Sequence, residues 1–469
     1  MEIGNAKYCD LLLSGGIVVT VDDERRVFDP GVIAIRGDRI VAVGTTNELS
    51  DYVAERFIDC TGKLITPGFV DCHNHLFESM LRGVGEGMKL WPWLSQLLQP
   101  YGDKVTREEA VAAVTNCALE AIRNGTTYVV DNHYAPTDLE TTLAVADAIE
   151  STGLRGTVAR GMYGHPTDIS DEFGFDVLDR TFLYSVDEEI DITRAAMEAR
   201  PHDSKVEIWP CPENISYDPQ ELIVRAVELA REFGTRWHSH LAEDDTEQGL
   251  YREHFGAGLV EWLHKEGLLE GATFAHCIWL EDKDIELLAE ARSGIAHCPV
   301  SNQYLATGIM RLPDLKSANA VIGLGSDGSC CGNQDLVQAM RHAVLLQRVN
   351  TLNPTIVPII EAINVKIIAS RETCFIILQG VAPIALIIPN SFIRSYVDII
   401  IVFITPSPAA IVNIKLNNVL IKTDIFLVII EIVGINCFHV SISTFFISAN
   451  IRFCISSASK LPFEFKAIS

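Results

Sequence analysis

The segment ITPGFVDCHNH, residues 65–75, is the most informative stretch of the 469-residue chain. Its apolar first half is typical of a buried β-strand, and the polar run that follows contains His73 and His75. Because successive side chains of a strand alternate between its faces, histidines two residues apart lie on the same face. Such a pair can bind one metal ion, although an isolated pair is a weak signal.

A repeating pattern of strand, loop and helix runs outward from this segment, from Leu64 to about Val349. Strands are expected at Leu64–Val70, Thr127–Asp131, Gly156–Arg160, Val206–Pro210, Arg236–His240, Thr273–His276, Gly294–His297 and Val321–Gly325. Helical stretches such as Arg107–Arg123 and Leu139–Ser151 lie between them. Eight strands alternating with helices predict an α/β fold, a (β/α)8 TIM-like barrel, whose typical length is about 250 residues.

Polar residues cluster at the predicted carboxyl ends of these strands, where barrels of this class hold their active sites. The fifth strand ends in HSHLAE (238–243) and the sixth in AHC (275–277). The seventh ends in HCPVSN (297–302) and the eighth in GSDG (325–328). Segments that are distant in the sequence would therefore meet at one mouth of the barrel.

Three histidines and one aspartate from these ends predict a metal site. The expected ligands are His73, His75, His240 and Asp327. This donor set suits one Zn²⁺ or Fe²⁺ with an open position for water, whose pKa the metal would lower from about 15.7 toward 7. Glu243 follows His240 by three residues and is placed to carry a proton, and His276 is placed to stabilise developing negative charge.

In this order, ITPGFVDCHNH, HSHLAED, FAHCIWL, AHCPVSN and GLGSDGS resemble the metal-dependent amidohydrolase superfamily. The similarity is closest to the cytosine/guanine deaminase and chlorohydrolase branch, which includes 8-oxoguanine and S-adenosylhomocysteine deaminases. It covers about residues 8–350. The resemblance implies that Asp327 accepts the first proton from water, that Glu243 shuttles protons, and that His276 orients the nucleophile or polarises the substrate.

The resemblance also bears on architecture and metal number. It implies a small β-sandwich built from the N-terminal strands and strands from the C-terminus. Binuclear members typically use a carbamylated lysine after the fourth strand, where this chain has Cys211, Pro212 and Glu213. The missing lysine favours a single metal ion.

Four further residues are candidates for contact with the substrate: Trp91, His133, Arg160 and Asn302. Trp91 lies in a long loop, where an aromatic ring either covers a planar substrate or seals the barrel. His133 and Arg160 end the second and third strands, and each has a structural alternative as a satisfied buried residue. Asn302 is expected either in the substrate pocket or in support of the metal site.

The implied function is hydrolytic deamination of an aminated purine, pyrimidine or triazine ring by a metal-activated water, with release of ammonia. Removal of chloride or an alkylamine from a triazine-like ring is the alternative, because attack at a ring carbon is common to both reactions. A non-catalytic barrel scaffold is a second alternative. The complete set of ligands and proton-transfer residues disfavours the scaffold.

The formal net charge of −25 argues against nucleic-acid binding, which needs a basic face. The charge is unevenly distributed. Residues 357–469 hold 14 charged residues and 28 isoleucines and carry a net charge of +2, whereas residues 1–356 carry −27. We therefore predict three segments: 1–65, part of the small β-sandwich; 66–356, the hydrolase barrel; and 357–469, an anomalous Ile-rich end.

The Ile-rich end has three interpretations. The first is a frameshifted or chimeric terminus, the second a diverged β-rich closing domain, and the third a membrane anchor that uses the uncharged stretch Cys374–Ile393. Proline and glycine in that stretch, with no basic flank, disfavour membrane association. The opening MEIGNAKYCD lacks the pattern of a signal peptide, and the 12 cysteines are scattered. We expect a cytoplasmic homo-oligomer acting on a small heterocyclic substrate.

Overall fold

The computed structural model describes residues 6–22, 24–175, 181–202 and 204–357, together with the backbone of 375–379. The strands are β1 (Lys7–Val19), β2 (Val27–Arg36), β3 (Arg39–Thr45), β4 (Tyr52–Asp59), β5 (Lys63–Pro67), β6 (Phe69–His75), β7 (Thr126–His133), β8 (Arg155–Met162), β9 (Val206–Pro212), β10 (Trp237–Leu241), β11 (Ala272–His276), β12 (Gly294–His297), β13 (Val321–Leu324), β14 (Asp327–Gly328) and β15 (Phe375–Gln379).

The α-helices are α1 (Leu90–Trp93), α2 (Gln99–Gly102), α3 (Arg107–Arg123), α4 (Leu139–Ser151), α5 (Asp168–Glu172), α6 (Val186–Ala199), α7 (Gln220–Phe233), α8 (Glu247–Phe255), α9 (Leu259–Lys265), α10 (Asp282–Glu290), α11 (Pro299–Tyr304), α12 (Leu312–Ser317) and α13 (Leu336–Thr351). A 3₁₀-helix covers Leu76–Leu81 and a π-helical turn covers Leu94–Leu98.

The N-terminal strands form one mixed sheet. β1, β2 and β3 pair in antiparallel order, β4 and β5 pair parallel to β1, and β15 pairs antiparallel to β5. Alternation along the strands places Leu13, Ile33 and Ile65 in one apolar cluster and Val32 and Ala34 in another. The predicted N-terminal β unit is therefore present. The predicted sandwich stays a prediction.

The expected first barrel strand, Leu64–Val70, is divided in the structure. β5 pairs with β1 of the small sheet, whereas β6 pairs with β7. Gly68 lies between them, where a Cβ atom would come within 2.2 Å of the Thr127 side chain. Because only glycine fits this close approach, the chain can pass here from one sheet to the next.

The strands that carry the predicted site form two parallel sheets, ordered β14-β6-β7-β8-β9 and β10-β11-β12-β13. A parallel bridge between Asn214 and His240 joins the strand end after β9 to β10. At the other edge, a Cβ atom on Gly325 would lie 2.9 Å from the carbonyl of His73, so the chain after β13 runs close to β6. The predicted α/β architecture is confirmed, and all these carboxyl ends lie on the same side.

Helices cover the sheets, and several begin at residues that the sequence marks as caps. The Thr106 side chain accepts a hydrogen bond from the backbone N–H of Glu109, and the Glu109 carboxylate accepts one from the backbone N–H of Thr106, which fixes the start of α3. The bounds of α3 and α4 are those expected from sequence. Within the described residues, the helices are too short or too polar to cross a membrane. Most of the stretch Cys374–Ile393 lies outside those residues.

Candidate active site

Three histidines meet at the carboxyl ends of β6 and β10. His73 and His75 belong to β6 and His240 to β10, and all three are buried. The ring centroid of His73 lies 4.6 Å from that of His75 and 4.8 Å from that of His240. One ligand atom from each ring lies within 4.8 Å of the other two. The spacing on one strand and the order of the sheets bring these predicted ligands together.

Hydrogen bonds to the backbone fix which nitrogen of each ring faces its neighbours. Nδ1 of His75 donates to the carbonyl of Asn132 at 2.8 Å, and Nδ1 of His240 donates to the carbonyl of Glu213 at 2.7 Å. Their Nε2 atoms, 3.4 Å apart, therefore keep their lone pairs. Nε2 of His73 is buried and makes no hydrogen bond to the described residues. Three imidazole lone pairs thus converge.

Asp327 brings a carboxylate to the same point. Its Oδ1 lies 3.0 Å from Nε2 of His73 and 3.4 Å from Nε2 of His75. Burial by itself would raise the pKa of Asp327, but the nearby imidazoles of His276 and His73 outweigh burial and hold that pKa well below its usual range. The hydroxyl of Ser301 donates to Oδ2. Asp327 is therefore held in place as a charged acceptor.

Glu243 lies directly after β10, beside this carboxylate. Its Oε2 is 3.3 Å from Nε2 of His276. Burial, followed by the charge of Asp327, raises the pKa of Glu243 well above its usual range. The backbone N–H groups of Glu243 and Asp244 both donate to Oε1 of Glu247 at 2.8 Å, which fixes the loop that carries Glu243. Of these two neighbouring carboxyl groups, Asp327 has a lowered pKa and Glu243 a raised one, which suits one as proton acceptor and the other as proton donor.

His276 completes the group at the end of β11. Its Nδ1 lies 2.9 Å from Oδ1 of Asn302, and its Nε2 faces Glu243 and Asp327. Both His276 (φ 68°) and Asp327 (φ 64°) have left-handed backbones, which residues with a side chain rarely adopt. The structure holds these two residues in strained conformations beside the reacting centre. Asn302 orients His276 from behind.

The ligand rings are themselves supported. His238, two residues before His240, places its Nε2 2.8 Å from Nδ1 of His73. Burial lowers the pKa of His73 to about 4, so this ring is neutral at pH 7 and free to bind a cation. Three imidazoles and one carboxylate, each fixed by a hydrogen bond on the side away from the cluster, fit a divalent metal ion of the zinc or iron type.

Three of the four predicted substrate residues are occupied by structural contacts. Trp91 stacks on Phe173 with ring centroids 3.5 Å apart. Nε2 of His133 lies 3.0 Å from the carbonyl of Pro136. Arg160, completely buried, pairs with Glu189 at 2.7 Å. Among the described residues that line the pocket, none of these three is found, and neither is Asn302. Their contact with a substrate stays a prediction.

A pocket opens beside the histidines and contains residues that sequence reasoning did not single out. Glu78, Tyr134 and Glu213 line it together with His75 and Glu243. The Tyr134 hydroxyl donates to Glu78 at 2.6 Å. Their positions in the sequence could have pointed to two of them, because Glu78 comes three residues after His75 and Glu213 follows β9 directly.

Comparison with known proteins connects this geometry to a family. The model of the amidohydrolase family matches residues 64–365. A curated relative, the 5-methylthioadenosine/S-adenosylhomocysteine deaminase of Pelotomaculum thermopropionicum, is 33% identical over 76% of this chain and 78% of its own length.

Two solved structures share the fold. An adenosine deaminase from Xanthomonas campestris with bound zinc aligns over 80% of this chain and 85% of its own, with a TM-score of 0.70 and 22% identity. The zinc complex of atrazine chlorohydrolase from Arthrobacter aurescens TC1 aligns over 79% and 87%, with a TM-score of 0.69 and 22% identity. The resemblance drawn from the motifs is confirmed, and the chain belongs to the amidohydrolase family.

Proposed function

We propose that this protein is a metal-dependent aminohydrolase that removes an amino group from a heteroaromatic ring and releases ammonia. Family membership makes it a hydrolase of carbon–nitrogen bonds. The observation that carries the proposal is the convergence of Glu243, His276 and Asp327 on the three-histidine cluster, within 3.0–3.7 Å of one another or of a ligand ring. A scaffold has no need of this arrangement.

The cluster of His73, His75, His240 and Asp327 would hold one zinc or iron ion, and we favour zinc. When bound, that ion supplies a Lewis acid that makes a water molecule nucleophilic near pH 7. The fit rests on the converging lone pairs and on Nε2 of His73, which has no hydrogen bond within the described residues. The end of the fourth predicted strand carries Cys211, Pro212 and Glu213 and lacks the lysine of a binuclear site, which supports one metal ion.

The protein's own groups account for the proton transfers. Asp327 is charged at neutral pH and accepts the first proton from water through its carboxylate. Burial and the charge of Asp327 raise the pKa of Glu243, which favours its protonated form, and this carboxyl group donates to a ring nitrogen as water adds to the carbon. Asp327 and Glu243 then transfer a proton to the amino group, so that it can leave as ammonia. The carbon–nitrogen bond breaks, a carbon–oxygen bond replaces it, and ammonia leaves.

His276 orients the reacting groups. Its Nδ1–H donates to Oδ1 of Asn302, so its Nε2 carries a lone pair and accepts a hydrogen bond. This Nε2 lies 3.3 Å from Glu243 and 3.7 Å from Asp327, where it accepts from the attacking water and orients it. Asp327 therefore accepts a proton, Glu243 donates one, and His276 holds the water in position.

We further infer that the two parallel sheets close into a (β/α)8 barrel and that the N-terminal sheet belongs to a sandwich. The bridge at Asn214 and the close approach of Gly325 to His73 support closure. We also propose the segment bounds 1–65, 66–356 and 357–469, a cytoplasmic location and a homo-oligomer. Nucleic acid and membranes are not expected partners.

A second candidate, hydrolytic removal of chloride or an alkylamine from a triazine, uses the same attack on a ring carbon. The likeness in fold to atrazine chlorohydrolase keeps it open. Metal analysis of the purified protein, combined with assays on guanine, 8-oxoguanine, cytosine, adenosine derivatives, melamine and atrazine, tests both. Ammonia release supports deamination, and chloride release from atrazine supports the second candidate. A zinc-loaded protein that releases neither from any ring would refute both.

A further inference from the structure

Glu213 lies in the pocket but has no part in the mechanism above. It follows β9 directly, is 5% exposed, and lines the pocket with the ligand histidines His75 and His240. Its position beside the reacting centre means that a bound molecule would lie within its reach.

The backbone of Glu213 is locked. Its N–H donates to the carbonyl of Met162 at 3.1 Å, and its carbonyl accepts from both the N–H and the Nδ1 of His240, at 3.2 and 2.7 Å. The residue is therefore tied to two strands and to a ligand ring. A side chain on such a fixed backbone stays in one place and can select what binds.

The side-chain carboxyl group is only partly satisfied. Oε2 accepts from Nδ2 of Asn132 at 3.2 Å. Nδ1 of His240 lies 3.6 Å from Oε1, but its hydrogen already points at the Glu213 carbonyl. Oε1 thus lacks a hydrogen bond from the described residues, and the described residues that line the pocket include neither lysine nor arginine. A buried acceptor of this kind favours a donor from a bound molecule.

We propose that Glu213 is a specificity-determining residue whose Oε1 accepts a hydrogen bond from an N–H or O–H group of the substrate other than the amino group that leaves. The pocket then favours a ring or ring substituent that carries such a donor, and it disfavours an anionic group in the same place. This inference rests on the proposed function and deepens it. It concerns the part of the substrate that does not react.

Binding is measured by titration calorimetry on the zinc-loaded full chain carrying Glu243→Gln, which prevents turnover. Two pairs of compounds distinguish the source of the donor. In the first pair, 2,6-diaminopurine differs from adenine by an additional amino group on the ring. In the second pair, adenosine differs from 2′,3′-dideoxyadenosine by hydroxyl groups on the ring substituent. Adenosine 5′-monophosphate, compared with adenosine, tests the effect of an anionic group.

With Glu213 present, we expect the donor-bearing member of at least one pair to bind about tenfold or more tightly, and the monophosphate about tenfold more weakly than adenosine. Adding Glu213→Met, which has a similar shape but no acceptor oxygen, should shrink both affinity ratios below about threefold while zinc content and melting temperature stay unchanged. Glu228→Met, at an exposed position on α7, is the matched control and should leave both ratios intact.

Affinity ratios that survive Glu213→Met, pairs that do not differ, or the failure of all five compounds to bind would each overturn this role for Glu213. These outcomes are separate from the test of the proposed function, which uses the protein with Glu243 intact. Ammonia release together with unaltered selectivity in Glu213→Met would remove the inference alone. Absence of ammonia and chloride release from a zinc-loaded protein would remove the function.

Discussion

Glu243 and His240 are three residues apart yet have different tasks, and two substitutions separate them. Glu243→Gln should retain zinc and lower kcat by about 10²–10⁴-fold, because a proton donor disappears while the ligand rings are untouched. His240→Ala should lose zinc, since one of three converging lone pairs is removed. Metal analysis and steady-state kinetics check both variants. A fully active Glu243→Gln protein would contradict the proton-transfer role.

Glu247 is a buried carboxyl group whose titration should affect stability. Burial raises its pKa to about 7, whereas a glutamate in the unfolded chain titrates near 4.3. The unfolded chain therefore loses this proton first as pH rises. The stability that Glu247 contributes is complete below about pH 4 and is lost as pH rises through about 7.

Glu247→Gln keeps an oxygen that can accept from the backbones of Glu243 and Asp244, but it has no proton to lose. We expect the melting temperature of the unsubstituted protein to fall more between pH 5 and pH 8 than that of the variant. Thermal denaturation followed by circular dichroism at several pH values measures the difference. Parallel curves for the two proteins would show that Glu247 does not titrate in this range.

At the scale of the elements, a buried ion pair joins β8 to α6. Arg160 pairs with Glu189, which also accepts from the backbone of Tyr163 at 3.0 Å, and both side chains are almost fully buried. Glu189→Gln would leave the guanidinium charge uncompensated, which typically costs about 3–5 kcal/mol. We expect a loss of about that size in urea denaturation, with zinc retained.

Glu228→Gln, on the exposed side of α7, should change the free energy of unfolding by less than about 0.5 kcal/mol and serves as the control. If Glu189→Gln left stability unchanged but raised KM about tenfold, Arg160 would act on the substrate, as the sequence suggested, rather than on the packing of α6.

Among the secondary-structure elements, some features could be predicted from the sequence and others could not. Periodicity located α3 and α4 to the residue, because each begins after a capping side chain and packs one apolar face. Periodicity predicted β5 and β6 as one strand, because both are apolar and the tertiary contact at Gly68, which lies between them, is not visible in the sequence. Arg160 was a candidate for substrate contact because it ends a predicted strand, and nothing in the sequence near it reveals its ion pair with Glu189 on α6.

At the scale of the whole molecule, the proposed metal site should couple metal binding to folding stability. The proposed ligands come from β6, β10 and β14, so an ion that binds them would stabilise only the folded chain. Zinc at about 100 times its dissociation constant adds about 2.7 kcal/mol. For a domain of this size that corresponds to roughly 4 °C in melting temperature.

Chelation should therefore lower the melting temperature by about that amount, and added zinc should restore it. Differential scanning calorimetry with and without chelator measures the shift. His240→Ala should show little response to either treatment. An equal response of this variant and the unsubstituted protein would place the stabilising metal elsewhere.

The sequence by itself predicted most of the strands and helices and the histidines and aspartate that meet at one site. Both follow from local rules: alternation puts His73 and His75 on one face, and parallel strands bring their carboxyl ends to one side. Only the tertiary structure decided how the pocket is completed. Glu78 meets Cys330 across 252 residues at 2.9 Å, and Glu213 meets His240 across 27. Such contacts depend on packing between distant segments, which no local pattern encodes.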